Sequence, residues 1–131
     1  MSRPHFLQPL LRRSAGTPLL RNTRSGLPVA TNIEAAVSST DRRRGLLGRD
    51  GLAPGQALVI APTNLVHTFA MRFAIDILFV TRDGRVLKVA SAVPPRRIAG
   101  AWGGFAVVEM AAGGAEFSDT RAGDVIEIVL S

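Results

Sequence analysis

Residues Ile77–Val89 read ILFVTRDGRVLKV. Ile77–Val80 is a short continuous apolar run, the pattern of a strand buried on both faces. Thr81-Arg82-Asp83-Gly84 interrupts it, and Arg85–Val89 resumes strand-like composition. Asp-Gly supplies the positive φ angles of a tight turn, so a β-hairpin is predicted here. The neighbouring segments follow the same pattern. Ala57–Ala61, ALVIA, is a second run buried on both faces, bounded by Gly55-Gln56 and Pro62. Phe105–Met110 is a third, carrying one acid, Glu109. Asp124–Leu130 is a strand with Glu127 pointing outward. Pro18–Asn22 and Leu27–Val37 are weaker strand candidates around the turn-rich Arg24-Ser25-Gly26, and the second is equally compatible with helix.

Few helices are expected. Ser38–Asp41 offers N-caps for a short helix over Arg42–Leu47 that stops at Gly48, with Arg42, Arg43 and Arg44 fanning around it and Leu46 and Leu47 turned inward. Ala111–Thr120 reads as turn or short helix. Val93–Arg97 ends a strand, because Pro94 and Pro95 cannot donate to a ladder. Gly100–Gly104 reads as a mobile loop around Trp102. Together these predict an α+β fold, mostly antiparallel β, as a small barrel-like or curled sheet with one or two short helices.

The chain has 131 residues, 47% of them apolar, and no cysteine. That is the length of one domain with a sizeable core. Disulfides, thiolate catalysis, iron–sulfur clusters and cysteine zinc sites are excluded. The net charge of +6 is uneven. Residues 1–24 hold Arg3, Arg12, Arg13, Arg21 and Arg24 and no acid, whereas from Gly51 onward seven basic and seven acidic side chains balance. Residues 1–17 are therefore expected to form a flexible basic arm before a single compact domain over 18–131, with nucleic acid or anionic lipid as its possible partner. Arg12-Arg13 is followed by no apolar segment of export-signal length, which points to a cytoplasmic protein. The uncharged stretch Gly51–Met71 is broken by Pro54, Gln56, Pro62, Thr63 and Asn64, and reads as strand plus loop rather than a membrane span.

The catalytic repertoire is narrow. His5 and His67 are the only histidines and there is no tyrosine. A site of several domain histidines is impossible and no metal site or cofactor is predicted. No Gly-x-Ser-x-Gly elbow is present. The glycines at 45, 48 and 51 follow no strand and lack Gly-Lys-Ser/Thr, so they are no phosphate loop.

What remains is Val66–Asp76, VHTFAMRFAID. Extended, it places His67, Phe69, Met71 and Phe73 on one face and Thr68, Ala70 and Arg72 on the other. As a helix turn, it stacks Thr68, Arg72 and Asp76. A buried Arg72 would need an anion, and Asp76 and Glu109 sit at the edges of apolar strands. One reading is a structural ion-pair network of Arg72 with Asp76 and Glu109. The other is a guanidinium held in a pocket for a carboxylate or phosphate. His67 is either a capped, satisfied side chain or a general base. Thr68 is expected to bond backbone, Met71 and Phe73 to join the core, and Trp102 either to cover a ligand or to pack on the sheet.

Six pieces of the chain keep a recognisable order over about residues 29–129: Arg44–Arg49 (RGLLGR), Ala57-Leu58 with Pro62, Val66–Phe79, Gly84–Val86, Val108–Met110 with Gly113, and Gly123-Asp124. In these the chain resembles the uncharacterised prokaryotic family "domain of unknown function 192". Many members have Pro where this chain has Ala74, and often Leu-Pro-Ala-Gly where it has Met110–Gly113. Others carry an N-terminal export signal or anchor. The resemblance implies a compact, largely β fold and supplies no activity.

Three functions follow as expectations. The first is a non-enzymatic binding module for a small anionic ligand or a partner, with His67, Thr68, Arg72, Asp76 and Glu109 lining a cleft, Arg72 as anchor and Trp102 as lid. The second is a hydrolase or lyase using His67 as base, oriented by Asp76 or Glu109. The third is nucleic-acid binding through the arginine arm, aided by Arg42–Arg44.

Overall fold

The central hairpin forms where the turn chemistry places it. β6 (Ile75–Val80) and β7 (Val86–Val93) pair antiparallel around Arg82-Asp83-Gly84. Thr81 N–H donates to Arg85 O at 2.9 Å and Gly84 N–H to Thr81 O at 3.0 Å. Only Gly84 has positive φ, +87°. The turn is thus a type I turn closed by a glycine bulge, rather than one with Asp83 also left-handed. The computed structural model describes residues 4–12, 16–69 and 71–130.

Before the hairpin come α1 (Gln8–Leu11), β1 (Pro18–Asn22), β2 (Pro28–Ala30), β3 (Asn32–Ala36), α2 (Ser39–Arg44), β4 (Gln56–Ile60) and β5 (Leu65–His67). After it come β8 (Ile98–Gly100), β9 (Ala106–Ala111), α3 (Gly114–Phe117) and β10 (Ile126–Leu130). A five-stranded sheet in the order β3-β4-β9-β6-β7 is the middle of the molecule. It is antiparallel except where β3 runs parallel to β4. A three-stranded sheet, β10-β1-β2, and a two-stranded ribbon, β5-β8, accompany it. The sheets are open, so the architecture is α+β with curled sheets and not a closed barrel. Three short helices are described.

Strands buried on both faces require cover on both sides, and the two cores supply it. Ala57, Val59, Leu78, Val80 and Val108 pack with Leu7 of the N-terminal segment, Leu20 of β1 and Ile126 of β10. On the opposite face Leu58, Ile60, Ile75, Ile77, Phe79 and Val107 pack under Leu46 and Met71. The hairpin tip ties two sheets together: Ile126 N–H donates to Gly84 O at 2.8 Å and Val86 N–H to Asp124 O at 2.7 Å.

Several expectations are corrected. Leu27–Val37 is two strands, broken at Thr31, whose N–H bonds Gly55 O at 2.8 Å. The helix starts three residues earlier than expected, because the Ser38 hydroxyl accepts the Asp41 N–H at 3.1 Å and caps it. Leu46 is buried as expected, but Leu47 is exposed. Gly100 belongs to a strand and not to a loop. The segment read as an arm lies on the domain in its described part, 4–12. Leu7 is fully buried, Phe6 N–H donates to Arg82 O at 2.8 Å, and His5 stacks on Phe105 with ring centres 5.1 Å apart. Arg3 and Arg13 lie outside the described residues. Among those described, no helix is long and apolar enough to cross a membrane.

Candidate functional site

Strand register separates the residues that sequence proximity seemed to unite. Residues directly opposite each other on paired strands share a face. Ile77 opposes Glu109, whereas Asp76 opposes Met110. Asp76 and Glu109 therefore project from opposite faces of the central sheet. Asp76 accepts three backbone N–H bonds, from Ala92 at 2.8 Å, Gly113 at 3.1 Å and Ala115 at 3.0 Å. It caps α3, whose own N-cap Gly113 has no side chain to offer, and clamps the bulge in β7. Arg72 is exposed and pairs with Asp50 at 2.5 Å. The expected Arg72–Asp76–Glu109 network does not form.

Thr68 is buried and structural. Its hydroxyl donates to Pro94 O at 2.7 Å and accepts the Arg97 N–H at 2.9 Å. The segment between β5 and β6 is neither a continuous strand nor a helix. Met71 joins the core and Phe73 packs against it. Ala70 lies outside the described residues. Trp102 is 98% exposed, so it neither covers a cleft nor packs on the sheet.

What the fold does assemble is a cleft of about 400 Å³ on the Leu46–Met71 side of the central sheet. One wall is the end of α2, bringing Arg42, Arg43 and Arg44. The other is β5, bringing Val66 and His67. Ile60 and Glu109 of the central sheet are the floor. Gly45, at φ +48°, ends α2 and turns the chain so that Leu46 enters the core while the arginines stay outside. Arg42 is partly engaged, donating to Val37 O at 2.5 Å. Arg43 and Arg44 are exposed, and their guanidinium groups form no hydrogen bond or ion pair among the described residues.

Glu109 is the unusual member. It is 3% exposed, yet its carboxyl makes no hydrogen bond among the described residues. Among those residues no fully enclosed polar side-chain atom lacks a partner, so its carboxyl oxygens open onto the cleft. Burial pushes its pKa up to about 7, only partly opposed by the positive charge of Arg49. Because the folded pKa is raised, ionisation of Glu109 costs stability as pH climbs from the unfolded carboxylate range towards 7. Glu109→Gln should therefore melt progressively higher than the parent between pH 4.5 and 7.5, a difference of a few degrees on a thermal unfolding curve. A gap that is independent of pH would mean the carboxyl is ionised throughout.

His67 opens to the same cleft, its ring tilted against Phe69 with centres 5.5 Å apart. Neither carboxylate orients it, since Asp76 is on the other face and the Glu109 carboxyl makes no hydrogen bond among the described residues. Other depressions offer less. One over β2 and α3, lined by Val29, Met110 and Phe117, contains no ionisable side chain. Another beside α2 holds Glu34, which Arg49 already pairs and keeps below the usual carboxylate range. Among the described residues no group of three or more His, Asp or Glu is placed to hold a metal ion. Of the N-terminal arginines, Arg21 pairs with Glu127 at 2.6 Å and Arg24 with Asp124 at 2.7 Å.

Fold and cleft together define a small α+β domain with an arginine-walled cavity and one buried acid. The chain belongs to the DUF192 family, described as an uncharacterised ACR, whose model matches residues 20–128. Two solved structures share the fold. A protein of unknown function from Novosphingobium aromaticivorans DSM 12444 is 25% identical with a TM-score of 0.72, covering 84% of this chain and 82% of its own. A proposed transcription regulator from Sinorhizobium meliloti 1021 is 22% identical with a TM-score of 0.72, covering 88% of this chain and 97% of its own. No curated protein matches the chain.

The sequence signal for this site was the run Arg42–Arg44 together with one acid on an apolar strand. Arg72, central in the sequence reading, is not among the cleft's residues.

Proposed function

We propose that the protein is a non-enzymatic module that binds a small anionic ligand in the cleft between α2 and β5. The observation that carries the reading is Glu109, a buried carboxyl without a protein partner that opens onto a cavity walled by arginines. Arg43 and Arg44 have all their guanidinium donors available for a carboxylate or phosphate, and Arg72 does not take that role. With its pKa near 7, Glu109 is largely protonated in mildly acidic solution, where its O–H donates to the ligand and its negative charge does not repel it. A ligand that reaches Glu109 completes the hydrogen bonding that the fold leaves open.

Calorimetric titration with inorganic phosphate and with succinate tests this. Binding should weaken at least tenfold in the Arg43→Ala/Arg44→Ala double variant, the order expected for losing charge-assisted bonds. It should be unchanged in Arg72→Ala. Affinity should rise as pH falls from 8 to 6, less steeply in Glu109→Gln, while His67→Gln isolates the imidazole's share. Equal affinity in the double variant would refute the site.

A further inference from the structure

We propose that the outer face of the β5-β8 ribbon, continuous with the mouth of the cleft, is a binding surface for single-stranded nucleic acid. The inference rests on the cleft as an anion site and extends it to a polymer.

Ribbon register decides which side chains face out. Val66 opposes Ala99, and both pack against the core. The flanking pairs, Leu65 with Gly100 and His67 with Ile98, therefore face outward. Leu65 is 60% and Ile98 65% exposed. Phe69, also exposed, continues the row beyond His67, and Trp102 stands two residues past the other end. Rings and apolar groups thus line one side of the cleft and extend away from it. Isolated exposed apolar residues need no explanation, whereas a row of them marks an interaction surface.

Charge points to what covers this row. Arg96 and Arg97 lead directly into β8, and Lys88 reaches its far end, where its Nζ donates to Gly100 O at 3.2 Å. Arg96 is held at φ +66°, a left-handed conformation unfavourable for a large side chain. Thr68 holds it there, accepting the Arg96 N–H on its carbonyl at 3.1 Å and the Arg97 N–H on its hydroxyl at 2.9 Å. The Arg96 guanidinium is exposed and has no partner among the described residues. A strained turn that presents a free cation beside exposed rings suits a strand whose phosphates meet arginines and whose bases stack on aromatic faces. An acidic protein segment would use the cations but has no need of Trp102, and this difference is measurable.

Trp102 is the only tryptophan in the chain, so its fluorescence reports directly on the proposed surface. The full chain is titrated with a thymidine 12-mer, followed by tryptophan emission and by anisotropy of a labelled strand. Binding should quench Trp102 and weaken with salt, with a log–log slope near −0.7 per phosphate contacted. Trp102→Ala and Arg96→Gly should each lower affinity roughly tenfold. Arg96→Gly should at the same time leave the melting temperature equal or higher, because glycine adopts this φ freely. A purely structural Arg96 would instead lose stability and keep affinity. The inference is overturned if Trp102→Ala binds as the parent does, if polyglutamate binds as tightly as the 12-mer, or if binding is lost only in the Arg3→Gln/Arg12→Gln/Arg13→Gln variant. Phosphate bound at Arg43 and Arg44 with a 12-mer bound no tighter would refute the polymer surface and leave the cleft standing. Binding of neither would refute both.

Discussion

Replacing Asp76 with alanine is expected to destabilise the fold by about 3–6 kcal/mol, since each buried donor stripped of its acceptor costs about 1–3 kcal/mol. The side chain is 1% exposed and serves three backbone N–H groups on two separate segments. Gly113 and Ala115 share Oδ2, while Ala92 bonds Oδ1. None of the three donors has another acceptor within its own element, because the bulge breaks the β7 ladder and the first N–H groups of a helix have no intrahelical partner. Asp76→Asn should lose less. Its one oxygen can keep the Gly113 and Ala115 bonds, but its NH₂ then meets the Ala92 N–H, donor against donor. Urea unfolding should rank the parent first, Asn second and Ala last. An alanine variant as stable as the parent would mean that these donors find other partners.

Gly84→Ala should cost about 3 kcal/mol or more, for two reasons that add. Its φ of +87° strains any residue with a Cβ, typically by about 1–3 kcal/mol. A Cβ there would also lie 2.3 Å from the carbonyl oxygen of Ile126, which is backbone and cannot rotate away. The collision falls where the hairpin tip pairs with β10, at the Ile126 N–H to Gly84 O bond of 2.8 Å. The expected loss is therefore the junction between sheets, visible as faster amide exchange at Val86 and Ile126 as well as a lower unfolding midpoint. Gly123→Ala is a control: its φ is +95° but no atom lies within 4 Å of the added Cβ, so it should cost only the strain.

These two positions show what could be read from sequence and what could not. Ile77–Val80 and Ala57–Ala61 announced a sheet covered on both sides, because apolar runs without alternation have no solvent face. The Asp83-Gly84 turn was legible for the same local reason. Asp76 and Glu109 were legible as acids in apolar strands, but their separation to opposite faces depends on the pairing of Ile77 with Glu109, a contact across 32 residues that no local pattern encodes. The β5-β8 ribbon escaped notice because its strands are three residues long, too short for periodicity. Arg21 and Arg24 looked like part of an unbalanced basic stretch because their partners, Glu127 and Asp124, lie about a hundred residues away. Leu7 was a lone apolar residue beside Phe6, and only the third dimension reveals the pocket that buries it.

Asp124 illustrates how such distant pairing works. Arg24 foremost, with the Arg121 N–H and the Asn22 amide, holds its carboxyl well below the usual carboxylate range. A lowered pKa contributes stability above the unfolded value that disappears as pH falls through the folded one. This cluster closes β1 against the approach to β10 and stands apart from the cleft.

The proposed anion site lies between α2 and β5, on Arg43 and Arg44 above Glu109. The most direct measurement is a phosphate titration followed by two-dimensional amide and arginine-side-chain NMR at pH 6.5. Saturable shifts are expected, concentrated at Arg43, Arg44, Val66, His67 and Glu109, and abolished in Arg43→Ala/Arg44→Ala. Shifts centred on Arg72 or on residues 5–24, or none at all in the cleft, would contradict the proposed site.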